Sequence, residues 1–330
     1  MKQMLRLIVM ALIGLSGGGL ESRAQDLVGG AGRSGDIVGG ASGLIARRPV
    51  NPTVKRGDAA SLQKERAIER ANAARSAPSP RFSEAEEQYG LASRLDPQDP
   101  RPHAGMGNIY LDRQRYNEAI DEYKQAIALD PTYAEAYFPL GYAYLGLKRF
   151  PDAVDIYKQL IRLKPEYAEA YNNLGYAYNQ MERYEEAIAV CQEVIRLIPE
   201  AGQAYQQGFL AKSDVLSQAY KNIGYAYARQ RKHEDAIKSF KTAIRLDPKS
   251  ASAHLNLGVA YYDAGRYAEA VEAYKQALNI TPGLAVAHYN LGLAYVGLRD
   301  KSAAMEQYNI LKTLQPEWAK ELQALIDKLG

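Results

Sequence analysis

Apolar residues recur at helical spacing along most of this chain, and the pattern restarts every 34 residues. Each period holds one apolar stripe at positions 4, 7, 8 and 11, a short polar break at 14 to 16, and a second stripe at 20, 24 and 27. Steps of three and four place each set on one face of a 3.6-residue helix. Every period therefore predicts two antiparallel helices, A and B. Prolines close the periods at Pro97, Pro131, Pro165, Pro199, Pro248, Pro282 and Pro316, and each stops helix B because it cannot continue it. All intervals are 34 residues except Pro199 to Pro248, which is 49. With the proline at position 32, six full units start at Pro100, Ala134, Ala168, Ser217, Ala251 and Ala285.

The columns agree closely. Position 8 is Gly107, Gly141, Gly175, Gly224, Gly258 and Gly292; position 11 is Tyr110, Tyr144, Tyr178, Tyr227, Tyr261 and Tyr295. Position 20 is Ala in all six units, and position 24 is Tyr123, Tyr157, Cys191, Phe240, Tyr274 and Tyr308. The small residues let the two backbones approach, and the large ones fill the wider gaps. One hairpin cannot bury its stripe alone, so neighbouring units must cover it. The expected fold is all-α.

These residues resemble the tetratricopeptide repeat family over about residues 66–318. Position 4, often Trp in that family, is His103, Tyr137, Tyr171, Tyr220, His254 and His288 here, which keeps a flat ring. The resemblance implies a right-handed superhelical solenoid of antiparallel helix pairs, with a concave groove lined mainly by A helices.

The ends read differently. Residues 1–24 have the form of a secretory signal: Lys2 and Arg6, the apolar run Leu7–Leu15, then Ser22-Arg23-Ala24 before a cut at Gln25. The competing reading is an uncleaved anchor, although the run is short for a spanning helix. The expectation is an exported protein, periplasmic or otherwise in the cell envelope, with no stable membrane insertion after cleavage. Residues 25–60 are Gly-rich and read as a flexible spacer. Residues 61–99 read as a degenerate first repeat, in which Phe82, Ala85, Tyr89, Ala92 and Pro97 keep the B-helix positions; its Arg-, Glu- and Ala-rich A helix suits a solvated cap. Units one to three occupy 100–201 and units four to six 217–318. A helix over 319–330 caps the stack, with Trp318, Leu322, Leu325, Ile326 and Leu329 forming its apolar face.

The long interval holds an insertion at 202–216. Fifteen residues are close to four helical turns, so a lengthened helix keeps the stack in phase; a loop over the groove is the alternative.

Charge and chemistry then narrow the function. The chain carries a formal charge of +3, and removing residues 1–24 leaves 38 basic against 37 acidic residues. That balance does not fit a nucleic-acid binder, which shows a basic stripe. Cys191 is the sole cysteine, so no internal disulfide forms. Three of the four histidines occupy the ring slot at position 4, and His233 sits at position 17. No catalytic constellation, metal-ligand spacing or cofactor motif is expected, and enzyme is the class least favoured.

What remains is the A-helix face at positions 2, 5, 6, 9, 12 and 13. Position 6 carries Asn173, Asn222, Asn256 and Asn290 in succession. A carboxamide both donates and accepts, which matches a peptide backbone. A helices spaced by about 8–10 Å would meet every third residue of an extended chain. A similar Asn ladder lines the repeats of O-linked N-acetylglucosamine transferases, and that resemblance implies a peptide-gripping role; contacts between adjacent helices are the structural alternative. Position 9 adds Tyr142, Tyr176 and Tyr225 after Asn108, and position 5 adds Asn172 and Lys221. The clamp that some family members use for acidic chain ends takes Lys at position 5 and Asn at position 9. Lys221 is followed by Tyr225, and Asn108 is preceded by Ala104, so chaperone C-terminal tails are not expected ligands. The sequence thus points to a scaffold that binds an extended peptide segment of another protein. Glycan or cell-wall binding through the tyrosines, or a structural part in an envelope secretion or polymer-export assembly, are the alternatives.

Overall fold

The computed structural model describes residues 59–198 and 212–329. The leader, most of the Gly-rich segment and residues 199–211 of the long interval lie outside the described residues. Fifteen α-helices follow in order: α1 (Ala59–Arg75), α2 (Phe82–Leu95), α3 (Pro100–Asp112), α4 (Tyr116–Leu129), α5 (Tyr137–Gly146), α6 (Phe150–Leu163), α7 (Ala168–Gln180), α8 (Tyr184–Leu197), α9 (Lys212–Arg229), α10 (His233–Leu246), α11 (Ala251–Asp263), α12 (Tyr267–Ile280), α13 (Ala285–Leu298), α14 (Lys301–Leu314) and α15 (Pro316–Ile326). No strand occurs among the described residues. The helices pack in consecutive pairs and form two units, an N-terminal one holding α1–α7 and a C-terminal one holding α8–α15. Within each unit consecutive A helices touch one another, while each B helix packs mainly on the A helices beside it.

The local rules of the repeat are visible in the backbone. Each B helix stops two residues before its proline. The residue in between is extended, as Asp130 (φ −140°, ψ 98°) and Asp247 (φ −134°, ψ 86°) show, because the proline ring excludes the helical conformation of its predecessor. Its N–H still donates to a carbonyl of the last turn, Ala126 and Ala243 respectively. The turn from A to B always passes through one left-handed residue at position 15: Gln114, Lys148, Glu182, Arg231, Gly265 and Arg299.

The glycines of position 8 do not bring backbones together, as the sequence reading had it. A ring from the B helix of the same repeat takes the space instead. A Cβ on Gly141 would lie 2.6 Å from Cζ of Tyr157, and one on Gly107 2.7 Å from Cε1 of Tyr123. Phe240 fills the place at Gly224, Tyr274 that at Gly258, and in the last repeat Leu322 of α15 that at Gly292. These rings are almost fully buried and form the centre of each repeat.

The position-4 ring ties one repeat to the last. Tyr137 donates to the carbonyl of Pro131 at 2.7 Å, and Tyr171 to that of Pro165 at 3.0 Å. Nε2 of His254 and of His288 meets the carbonyls of Pro248 and Pro282 at 3.2 and 2.9 Å, and must donate because a carbonyl only accepts. His103 departs from this and bonds Glu122 through Nδ1 at 2.7 Å.

The helices are also stitched by cations on tyrosine faces. Arg149 lies 4.7 Å above the ring of Tyr144, and Lys124 of the preceding repeat 5.8 Å from it. Arg266 and Lys241 flank Tyr261 in the same way, at 4.6 and 5.6 Å.

At the N-terminus α1 is bound by charge. Asp99 caps α3 by accepting from the N–H of Arg101 at 3.0 Å, and it also meets Lys64 at 3.0 Å. Arg101 reaches Glu65 of α1 at 2.6 Å. At the other end Trp318, Leu322, Leu325 and Ile326 bury the apolar face of α15 against α13 and α14.

Candidate functional site

The residues singled out by sequence lie on the A-helix faces, but they are not equally open. In the N-terminal unit Asn108 is buried and accepts from the Tyr123 hydroxyl at 2.8 Å. Asn173 is 1% exposed, and its amide donates to the hydroxyl of Tyr157, the position-24 ring of the repeat before it, at 3.0 Å. Asn172 is wholly buried. Tyr142 is 8% exposed, and burial raises the pKa of its phenol. Tyr176 is half-buried.

In the C-terminal unit Asn222 and Asn256 are 5% and 6% exposed, whereas Asn290 is half-open. Asn222 pairs with the thiol of Cys191, again the position-24 residue of the preceding repeat. Burial pushes that thiol up to about 12, against the hydrogen bond, so Cys191 is an unreactive core residue. Lys221 and Tyr225 are half-buried; the Lys221 ammonium donates to Ser252 Oγ at 3.2 Å, and the Arg229 guanidinium lies 6.0 Å from the Tyr225 ring centre.

Two features of this face were not singled out by sequence. One is the buried Arg75, whose guanidinium forks onto Asp112 at 2.7 and 3.3 Å and joins α1 to α3. The other is Asp263 at the end of α11. Its only signal in the sequence is that position 13 varies, as Asp112, Gly146, Gln180, Arg229, Asp263 and Gly297, although tyrosine rings leave no room for a Cβ at Gly146 and Gly297. Among the described residues no group of three or more His, Cys, Asp or Glu side chains could hold a metal ion, and no helix is long and apolar enough to cross a membrane.

The A-helix face therefore offers half-open amide, phenol and charged groups on a rigid helical wall, which suits binding without bond-making. Solved structures share the fold. A tetratricopeptide repeat protein from Parabacteroides merdae is 18% identical, with a TM-score of 0.61, over 80% of this chain and 99% of its own. PilW, a widely conserved type IV pilus biogenesis factor, is 21% identical with a TM-score of 0.59, over 69% and 98%. The pilF protein of Pseudomonas aeruginosa is 22% identical with a TM-score of 0.55, over 69% and 98%. No match was found among curated proteins. Family models described as tetratricopeptide repeat match residues 138–202, 221–285 and 285–317, and one described as TPR repeat matches 107–148. With matched repeats, helix pairing and neighbouring folds in agreement, the chain belongs to the tetratricopeptide repeat family, which is generally a non-enzymatic repeat scaffold.

Proposed function

We propose that this protein is a non-enzymatic interaction scaffold that binds an extended peptide segment of another protein along the A-helix face. The observation that carries the reading is the half-open set of Lys221, Tyr225 and Asn290 in the C-terminal unit, of which Tyr225 rests one side on the core and Lys221 meets Ser252 Oγ. Rigid helices hold them, so binding orders few groups and loses little entropy. The four asparagines divide within this reading. Asn290 is the member placed to meet a ligand. Asn173 and Asn222 already serve a neighbour's hydroxyl and thiol, and act by holding one A helix to the preceding repeat.

The test is peptide selection on the full chain followed by affinity measurement on Lys221→Ala, Tyr225→Ala and Asn290→Ala. Each is expected to weaken the selected peptide several-fold, with an unchanged melting temperature for Lys221→Ala and Asn290→Ala and a lowered one for Tyr225→Ala, whose ring rests on the core. Failure to enrich any peptide overturns the proposal. We also propose export to the cell envelope, on the signal-like order of residues 1–24. Fractionation of the host, comparing the full chain with one lacking those residues, tests it; recovery of both in the same compartment refutes it.

A further inference from the structure

Position 13 is the last residue of the A helix in the first five repeats, and in this chain it twice carries a carboxylate. At Asp112 the structure shows what such a carboxylate takes: the forked guanidinium of Arg75, at 2.7 and 3.3 Å, delivered from the neighbouring A helix. At Asp263, in the C-terminal unit, no such arginine is supplied. Asp263 is open to solvent and makes no hydrogen bond or ion pair among the described residues. Next to it the half-buried ring of Tyr262 lies 5.2 Å from that of Tyr267, at an interplanar angle of 59°.

We propose that Asp263, with the Tyr262–Tyr267 ring pair beside it, receives an arginine side chain of the bound segment. This rests on the peptide-binding reading above and names the ligand chemistry of one of its subsites. A guanidinium is planar, offers two parallel donors to a carboxylate and stacks on aromatic faces, so it fits both components at once.

The surrounding charges agree. Arg231, in the turn from α9 to α10, is the cation that acts most on Asp263, yet it stays beyond ion-pair contact. Arg266, at the start of α12, is held by Glu269 at 2.8 Å and Glu234 at 3.3 Å. Arg229 ends α9 and Arg299 follows α13; the phenols of Tyr262 and, on α12, Tyr274 lie close enough to feel the Asp263 charge, and α12 also carries Glu269, Glu272 and Lys275. The equivalent place on α13 is Gly297, on which the Tyr267 ring packs, within 2.9–3.0 Å of where a Cβ would stand, so that side of the Tyr267 ring is already taken. Although the residue as a whole is exposed, the protein packed around its carboxyl desolvates that group and pushes it up to about 6, with Arg231 opposing. A carboxylate so disfavoured gains when a cation reaches it.

The experiment pans a phage-displayed library of random dodecapeptides on the full wild-type chain and on Asp263→Asn at pH 7.5. The expected wild-type pool carries Arg at one fixed offset from its shared apolar residues. The Asp263→Asn pool is expected to keep those residues and lose the Arg. The leading wild-type peptide should bind about tenfold more weakly at pH 5 than at pH 7.5, because one unit below a pKa only about a tenth of a carboxyl stays ionised. Its citrulline analogue and the Asp263→Asn protein should show no such change. Peptides enriched without a fixed basic residue, or with the same Arg preference on both proteins, overturn this subsite and leave peptide binding standing. A pool that never enriches overturns both. Asp263→Asn should fold with a melting temperature at pH 7.5 no lower than wild type.

Discussion

The close fit of ring against glycine predicts a substitution whose sign contradicts helix propensity. Gly141 lies in the middle of α5, where Gly→Ala ordinarily adds about 0.5–1 kcal/mol of stability. Here the new Cβ would sit 2.6, 2.8 and 2.9 Å from Cζ, Cε1 and Cε2 of Tyr157. Carbon atoms rest about 3.5–4.0 Å apart, so something must move by about 1 Å. The ring has little room, because it is fully buried, its hydroxyl is held by Asn173 at 3.0 Å, and Phe138 packs edgewise at 5.9 Å. Overpacking of this kind costs about 1–3 kcal/mol, and losing the tyrosine hydrogen bond adds about 0.5–1.5 kcal/mol. Less the gain in propensity, Gly141→Ala should be destabilised by about 0.5–4 kcal/mol.

The control is Gly90 in α2, where a Cβ would meet only Arg94 Nη1, at an ordinary 3.5 Å. Gly90→Ala should gain the full propensity term of about 0.5–1 kcal/mol. Stacks of repeats open locally. The assay is therefore native-state hydrogen exchange on the amides of the substituted helix and its partner, with the urea midpoint alongside. In a Tyr157→Leu background the Gly141→Ala penalty should shrink, since the two residues share one space. A Gly141→Ala protein as stable as wild type, or more so, refutes the account of position 8 as a seat for the ring.

Three further outcomes follow from other contacts. Gly265 has φ +76° and a Cβ added there would meet nothing within 4 Å, so Gly265→Val isolates backbone strain; a loss of at least about 1–2 kcal/mol is expected in urea titration, and no loss contradicts it. Burial pushes the Asp99 carboxyl up, but hydrogen bonds from Arg101 and Lys64 outweigh it and hold the carboxyl below its ordinary value of 3.8. Its stabilisation is thus present above that value and lost as pH falls through the lower folded value, and exchange protection of α1 should fail there before that of α4 and α5. Asn173→Ala leaves the buried Tyr157 hydroxyl without its donor and should cost about 1–3 kcal/mol, whereas Asn290→Ala, half-open, should stay within about 0.5 kcal/mol; thermal denaturation of both separates them.

Much of the fold was legible because the chain aligns with itself. Six copies set Gly, Tyr, Ala and Pro in columns, and a column that never changes reports a demand of the stack. The columns do not show which of them meet in space. Position 8 is filled by position 24 of its own repeat, not by backbone. The position-4 rings answer a proline carbonyl six residues earlier, across the boundary between repeats. The left-handed turn at position 15 is invisible to composition, since only Gly265 among the six is glycine. Arg75 reads as part of a solvated cap, yet it is 5% exposed because Asp112, 37 residues on, neutralises it.

The same logic explains why one residue type in four successive repeats need not do one job. At two of the four, Asn at position 6 pairs with position 24 of the repeat before it. Tyr157 offers a hydroxyl and Cys191 a thiol, and their asparagines turn inward to them. Phe240 has no polar atom, and Tyr274 precedes the half-open Asn290. A repeated residue therefore marks where the stack holds itself together as readily as where it holds a ligand. The informative places for binding are the ones the stack leaves unspecified. Position 13 is fixed by packing at Gly146 and Gly297, where the rings of Tyr116 and Tyr267 leave no room for a Cβ, but elsewhere it carries aspartate, glutamine or arginine, and what that side chain meets decides its part. At Asp112 that is an arginine within the chain, and at Asp263 it is the one a partner must bring.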